Sequence, residues 1–166
     1  MVHGDSVAKL LNKIVDRLCR AVYDGSYDGV VIALDDLVRE DPRCMTSMEF
    51  LCKGVGEIKE EMVLKGHSRM IEAFHERECF DQGDKDALLH SAVKMKRPDM
   101  MNTALDIGAN PNGAANMSST LLHACLLGYR EGVQILLRRG ADVQALKKMP
   151  SFANNMRDIL EQYGFR

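Results

Sequence analysis

An all-α fold of stacked helical hairpins is predicted for this chain, and three observations predict it. The segment Leu121-Leu122-His123-Ala124-Cys125 follows Leu88-Leu89-His90-Ser91-Ala92 at an interval of 33 residues. After each comes a glycine-alanine element, Gly108-Ala109-Asn110-Pro111-Asn112 and then Gly140-Ala141-Asp142-Val143-Gln144, at an interval of 32. A fixed period of this length, with its landmarks in step, marks units that cover one another's apolar faces. Composition agrees: aromatic residues are 5% of the chain, tryptophan is absent, and Leu, Met and Ala carry most of the apolar content. That balance favours helix over strand.

Length bounds the answer to one domain or one short array, because 166 residues are enough to bury a real core. The apolar and charged fractions, 46% and 28%, are ordinary for a water-soluble chain. A net charge of −2 disfavours nucleic acid and anionic membrane as partners. Cysteines at 19, 44, 52, 79 and 125 are odd in number and irregularly spaced, so reduced thiols are expected to act mainly as small core residues. Val7-Ala8-Lys9-Leu10-Leu11 interleaves charges with apolar residues, unlike a secretory leader, and no apolar run approaches the ~20 residues that span a bilayer. A cytoplasmic or nuclear location is the expectation.

Ser6 is placed to cap a helix running to about Tyr23, with Val7, Leu10, Leu11, Ile14, Val15, Leu18 and Val22 at helical spacing. Asp24-Gly25-Ser26 stops it, and a second helix over Tyr27 to Val38 ends ahead of Asp41-Pro42. A third begins near Thr46 or Ser47 and carries Met48, Phe50, Leu51 and Cys52. Gly54 and Gly56 predict a break before Ile58, Met62 and Val63 continue. Lys65-Gly66-His67-Ser68 turns into a helix holding Met70, Ile71 and Phe74, and Asp81-Gln82-Gly83-Asp84 closes this half. Helices over about 87–95, 98–106, 120–127 and 130–138 follow. Pro98 suits a first turn, and Gly108 and Gly140 suit the position just past a helix end. The stretch from Asn110 to Ser119 is a polar loop, and Ser151 to Tyr163 forms a last helix with Phe152, Met156, Ile159, Leu160 and Tyr163 inward.

Residues 86–144 resemble ankyrin repeats. The family pattern is Thr-Pro-Leu-His-x-Ala-Ala, two variable residues, Gly-His, an aliphatic helix, and Gly-Ala-Asp/Asn-x-Asn. Thr120-Leu121-Leu122-His123-Ala124-Cys125, Gly128-Tyr129, Val133, Ile135, Leu136, Leu137 and Gly140-Ala141-Asp142-Val143 follow it. So do Leu89-His90-Ser91-Ala92-Val93, Met100-Met101, Ala104-Leu105 and Gly108-Ala109-Asn110-Pro111-Asn112. Residues 1–82 are a divergent copy: Lys65-Gly66-His67-Ser68 looks like a junction between two helices, and Gly25 lies 41 residues before Gly66, which calls for an insertion near Arg43–Met48. The resemblance implies an ankyrin-like helical-hairpin solenoid of about four repeats with a C-terminal capping helix, 1–82 and 83–166 forming one continuous array. It also implies that His90 and His123 are equivalent and hydrogen-bond turn backbone, tying one repeat to the next.

Chemistry finds little support. His75 and Cys79 stand four apart, as two zinc ligands on one helix would, but no second pair accompanies them. Gly54-Val55-Gly56 beside Lys53 and Lys59 lacks the order of a phosphate loop. Glu60-Glu61 and Glu76 with Glu78 lie among Lys and Arg as solvated pairs, and no serine or cysteine sits in a triad pattern. No cofactor, metal or catalytic residue is expected. The function expected is a non-enzymatic module that binds another protein through a concave groove and loop tips. Met95, Asn112, Asn116, Met117, Leu127 and Tyr129 are the candidate contacts, with Lys147 and Lys148 as a rim for an acidic partner. The alternatives are a regulator that masks an enzyme or transcription factor, a zinc protein or enzyme centred on His75 and Cys79, and self-association through the amino-terminal half.

Overall fold

Most described helices of this protein stop where one residue swings into the left-handed region and sends the chain back. The computed structural model describes residues 3–40, 55–115, 118–148 and 156–163. The chain divides into two units, Met1–Asp81 and Gln82–Arg166.

The first unit holds α1 (His3–Asp24), α2 (Tyr27–Glu40), α3 (Val55–Lys65) and α4 (Ser68–Glu76). α1 begins at His3, so Ser6 lies inside the helix rather than at its cap. Ser26 does cap: its Oγ accepts from the Gly29 N–H at 3.2 Å at the head of α2. Ile14, Leu18, Ala21 and Val22 of α1 and Val30, Ala33, Leu34 and Leu37 of α2 make the buried seam of this hairpin. α3 packs on α1 and α4 on α2, so the second hairpin lies helix for helix against the first. Ile58, Met62, Met70, Ile71 and Phe74 fill that layer, and Phe74 stacks on Phe80 at 5.1 Å. Polar ties run along it: Arg77 Nε donates to Asp35 at 2.7 Å, Lys65 Nζ to the Tyr23 carbonyl at 2.6 Å, and the Arg69 guanidinium covers the Tyr27 ring. The helix expected from Thr46 or Ser47 and the insertion near Arg43–Met48 lie outside the described residues.

The second unit contains α5 (Gln82–Lys94), α6 (Pro98–Asp106), β1 (Ala114–Ala115), β2 (Ser118–Ser119), α7 (Thr120–Leu126), α8 (Arg130–Arg138), a 3-10 helix (Val143–Lys148) and α9 (Arg157–Gln162). α6 and α8 have the bounds read from the sequence. α5 starts at Gln82, five residues early, because Gly83 and Asp84 serve as its first turn and not as a separate turn. β1 and β2 pair antiparallel, Ala114 with Ser119 and Ala115 with Ser118, inside the stretch read as a loop. Ser119 then caps α7, its Oγ accepting from the Leu122 N–H at 3.1 Å. Here too the layers match, with α5 on α7 and α6 on α8. Leu88, Leu89, Met101, Leu121 and Leu136 are fully buried between them.

Seven described residues have positive φ, namely Gly25, Gly66, Glu78, Lys96, Gly108, Gly128 and Gly140. Each sits just past a helix between the same two hydrogen bonds. At the first, Gly25 N–H donates to Val22 and Ser26 N–H to Ala21; at the last, Gly140 donates to Leu137 and Ala141 to Leu136. This two-bond cap satisfies helix carbonyls that otherwise lack partners. The caps also fix the repeat register. Lys96 and Gly128 correspond, as do Gly108 and Gly140, so the structural period is 32. In that register His90 stands opposite Leu122, and the 33-residue Leu-His match is one position out of step. His90 and His123 are therefore not equivalent.

Left-handed φ costs an L-residue roughly 1–2 kcal/mol, and glycine gives part of that back in unfolded-state entropy. Gly108→Ala should lower stability by about 1 kcal/mol and Glu78→Gly should raise it by about 0.5 kcal/mol in urea unfolding.

Candidate functional site

The sequence-predicted contacts divide between the two ends of α7. Met95 and Leu127 occupy the last turn positions after α5 and α7, immediately before the left-handed residues Lys96 and Gly128. Both are half-buried, and the neighbouring Leu126 is 49% exposed. Met95 therefore lies in the interhelix turn and not on the helix face that the groove reading required. β1, β2 and the Gly140 turn gather at the other end, roughly 10 Å away along the seven residues of α7. Asn116 and Met117 lie outside the described residues. Lys147 and Lys148 close the 3-10 helix, and their side chains also lie outside the described residues.

Asn112 serves the fold. Its Oδ1 accepts from the Asp142 N–H at 2.6 Å, and its Nδ2 donates to the Gly140 carbonyl at 3.2 Å. One amide thus pins the next turn by both backbone groups while the residue stays exposed. One layer earlier two side chains divide this role between them. Asp86 accepts from the Asn110 N–H at 2.7 Å, and Gln82 donates to the Gly108 carbonyl at 3.1 Å and to Asp86 at 2.8 Å. The acids and amides at residues 110 and 142 repeat as well, with Asn110 Oδ1 accepting from Asn112 and Asp142 Oδ1 from Gln144. Tyr129 is an internal residue. It is buried, and a Cβ on Gly132 would fall into its ring, so Gly132 exists to let α8 approach that ring. Tyr129 leaves the contact set for this reason.

The imidazoles do not tie the turns together. His90 and His123 face each other with ring centroids 4.6 Å apart and planes tilted by 57°, and His90 Nδ1 and His123 Nε2 are buried without a hydrogen-bond partner. Burial, then the His123 ring and Lys94, hold His90 below the usual imidazole range. His67, beside Gly25 in the first unit, is lowered by burial and then by Lys65, and its Nε2 is also unpartnered.

Sites for chemistry are sparse among the described residues. His75 and Cys79 are not on one helix face, because α4 ends at Glu76 and the cap at Glu78 turns Cys79 away. Cys79 Sγ faces the Arg77 carbonyl, and no described group of three His, Cys, Asp or Glu side chains is placed to hold a metal ion. Burial pushes the Cys125 thiol up to about 11, which makes it a poor nucleophile at neutral pH. Glu61 is paired with Lys65 at 2.7 Å. A groove of about 250 Å³ on the α6–α8 side sets Glu131 among Arg138, Arg139, Pro98, Asn102 and Ile135, a lining without an acid–base pair. No described helix is long and apolar enough to cross a membrane.

β2, α7, α8 and the 3-10 helix coincide with a match to a known family model, that of the ankyrin repeat, over residues 118–148. This segment is similar to an ankyrin repeat. The preceding unit, 86–112, lies outside the matched ankyrin segment although its caps and burial follow the same 32-residue register. No curated protein matches the chain. Lys94 and Lys96 are surface residues that sequence reasoning passed over. The signal for them was present as the run Lys94-Met95-Lys96-Arg97, whose position at a turn only the cap reveals.

The His90 shift carries a pH dependence. The folded state favours neutral imidazole, whereas the unfolded chain takes up a proton near pH 6.5. Stability should therefore hold above about pH 6.5 and fall as pH drops below it. Thermal unfolding at pH 7.5 and 5.5 measures the loss, and His90→Gln should narrow the gap between the two midpoints.

Proposed function

We propose that this chain is a non-enzymatic interaction module that holds a partner protein on the turn end of its second unit. An ankyrin repeat suggests protein binding as its general role, and such repeats are typically not enzymes. One observation supports the particular surface: Met95, Leu126 and Leu127 stand partly exposed at corresponding turns of two packed hairpins. Doubly hydrogen-bonded caps hold both turns, so little ordering entropy is lost when a partner settles on them. Apolar side chains held rigidly beside polar turns are the usual anchors of an interface. Asn116, Met117, Lys147 and Lys148, the other contacts expected from the sequence, form a second contact in this reading. The module acts as an adaptor, and masking of an enzyme or transcription factor is the form it takes when the bound surface is itself active.

Met95→Ala with Leu127→Ala should weaken partner capture about tenfold or more while moving the thermal midpoint by only a few degrees. Titration of the captured partner by calorimetry checks the first and differential scanning calorimetry the second. A collapsed midpoint assigns the two residues to the core and removes the surface.

A second reading has its own observation. Val7 and Leu10 of α1 are 46% and 41% exposed on the stripe that further along the helix carries the buried Ile14, Leu18 and Val22. A stripe left open at one end fits self-association of the amino-terminal unit. Sedimentation of the full chain should then show a dimer that Val7→Glu with Leu10→Glu dissociates, and a monomeric wild type discards the reading.

A further inference from the structure

We propose that Asn112-Gly113 is a spontaneous modification site, at which Asn112 converts to aspartate or isoaspartate when the turn it pins comes undone. It is the one Asn-Gly pair of the sequence. Glycine hinders the backbone nitrogen least, so in an open chain that nitrogen attacks the side chain more readily here than at the other asparagines. The Gly113 nitrogen loses its proton and bonds to Asn112 Cγ, and the side-chain nitrogen departs as ammonia. Water then opens the five-membered imide at either carbonyl. One opening leaves aspartate, and the other leaves isoaspartate, with the backbone rerouted through the side chain. Water is the co-reactant, and nothing is oxidised or reduced.

The fold keeps this labile pair because it uses both residues. A Cβ at position 113 would stand 2.7 Å from the Asp86 carboxylate and 2.9 Å from the Asn110 carbonyl, so a side chain there would push on backbone. Asn112 offers an acceptor to the Asp142 N–H and a donor to the Gly140 carbonyl, and one amide supplies both. The same bonds hold the reaction off. The next turn engages both ends of the amide, and the N–H of the buried Gly113 donates to the Asn110 carbonyl at 2.8 Å. The attacking nitrogen is thus neither ready to lose its proton nor faced by a mobile amide. Asn112 is exposed, so water reaches the site once the pin lets go.

Conversion runs one way, and its product does not restore the pin. Aspartate keeps the acceptor, loses the donor and sets a carboxylate oxygen against the Gly140 carbonyl. The preceding layer shows what an acid needs in this role: Asp86 accepts from Asn110 while a separate amide, that of Gln82, donates to Gly108. Isoaspartate adds a methylene to the backbone two residues before β1. Each converted molecule carries a loosened last reversal, and the frequency with which that reversal opens sets the rate.

Gly140→Ala isolates the gate, because its Cβ meets nothing within 4 Å and the variant only strains the left-handed turn that Asn112 pins. The full chain is kept at neutral pH and body temperature. Peptide mapping by mass spectrometry follows the gain of one mass unit on the peptide that holds Asn112. Isomerisation at Asp24-Gly25 or Asp28-Gly29 leaves the mass unchanged and does not interfere. Folded wild type is expected to convert at least about tenfold more slowly than in denaturing urea, and Gly140→Ala about fivefold faster than wild type. Gly25→Ala places similar strain in the first unit and should leave the rate alone. Asn112→Asp supplies the product directly and should lower the thermal midpoint by a few degrees. If Gly140→Ala does not fold, the wild-type rate in urea below the unfolding transition takes its place and should already be raised. The proposal is overturned if folded and unfolded wild type convert alike. It is overturned too if Gly25→Ala speeds conversion as much as Gly140→Ala, which makes global unfolding the gate. It fails as well if neither Gly140→Ala nor mild urea speeds conversion, or if Asn112→Asp melts with the wild type.

Discussion

The left-handed cap is the constraint on which this architecture depends. A helix of nine to thirteen residues buries too little apolar area to hold its direction, and its last carbonyls lack partners. One residue at positive φ solves both problems. It returns two backbone N–H groups to the helix end and reverses the chain, and at Gly25, Gly66, Lys96 and Gly128 the second helix of the hairpin starts two residues on and packs against the first. Ala21, Met62, Phe74, Ala92, Ala104, Ala124 and Leu136, which accept the bond from the residue after the left-handed one, are all buried residues. Chain reversal is thereby locked to core formation. Within each unit the consequence is the same: first helices lie on first helices and second on second.

Polar groups follow the same register. The Asx turns at Asn110 and Asp142 and the side-chain pins from Asp86, Gln82 and Asn112 satisfy the backbone of the reversals between hairpins. The imidazoles of His67, His90 and His123 and the Tyr129 hydroxyl are exceptions among the described residues, each with a buried polar atom left unpaired. Burial holds His67 and His90 below the usual imidazole range, which gives the fold an acid-sensitive point. The side chains that reach solvent on the turn end, Met95, Leu126 and Leu127 among them, are held by backbone and not by a mobile loop. Such an arrangement suits binding, in which the protein contributes shape and charge at small entropic cost.

Much of the helical content was legible. α6 and α8 were readable to the residue because Pro98, Gly108 and Gly140 are local signals whose meaning is fixed by φ alone. Gly25 and Gly66 marked the turns of the first unit for the same reason. Errors arose where a pattern needed tertiary context. The Leu-His pairs recur at 33 residues, but burial recurs at 32, and burial decides which side chains correspond. His75 and Cys79 looked like neighbours on a helix because the cap between them sits on Glu78, which no rule singles out. Lys96 hid in the same way. Tyr129, amphipathic and beside a turn, read as surface, whereas it is buried in the space that Gly132 leaves, and the exposed Asn112 has a second task in pinning the following turn.

Native-state hydrogen exchange tests the central claim most directly. The amides of Ser26, His67, Cys79, Arg97, Ala109, Tyr129 and Ala141 all lie outside helices, yet each donates to a buried helix carbonyl at 2.8 to 3.0 Å. They should exchange slowly, with protection comparable to the helix interiors they close. Exchange of these seven at the rate of an open loop would mean that the hairpins are not locked at their turns, and the rigid surface argued from them would go with it.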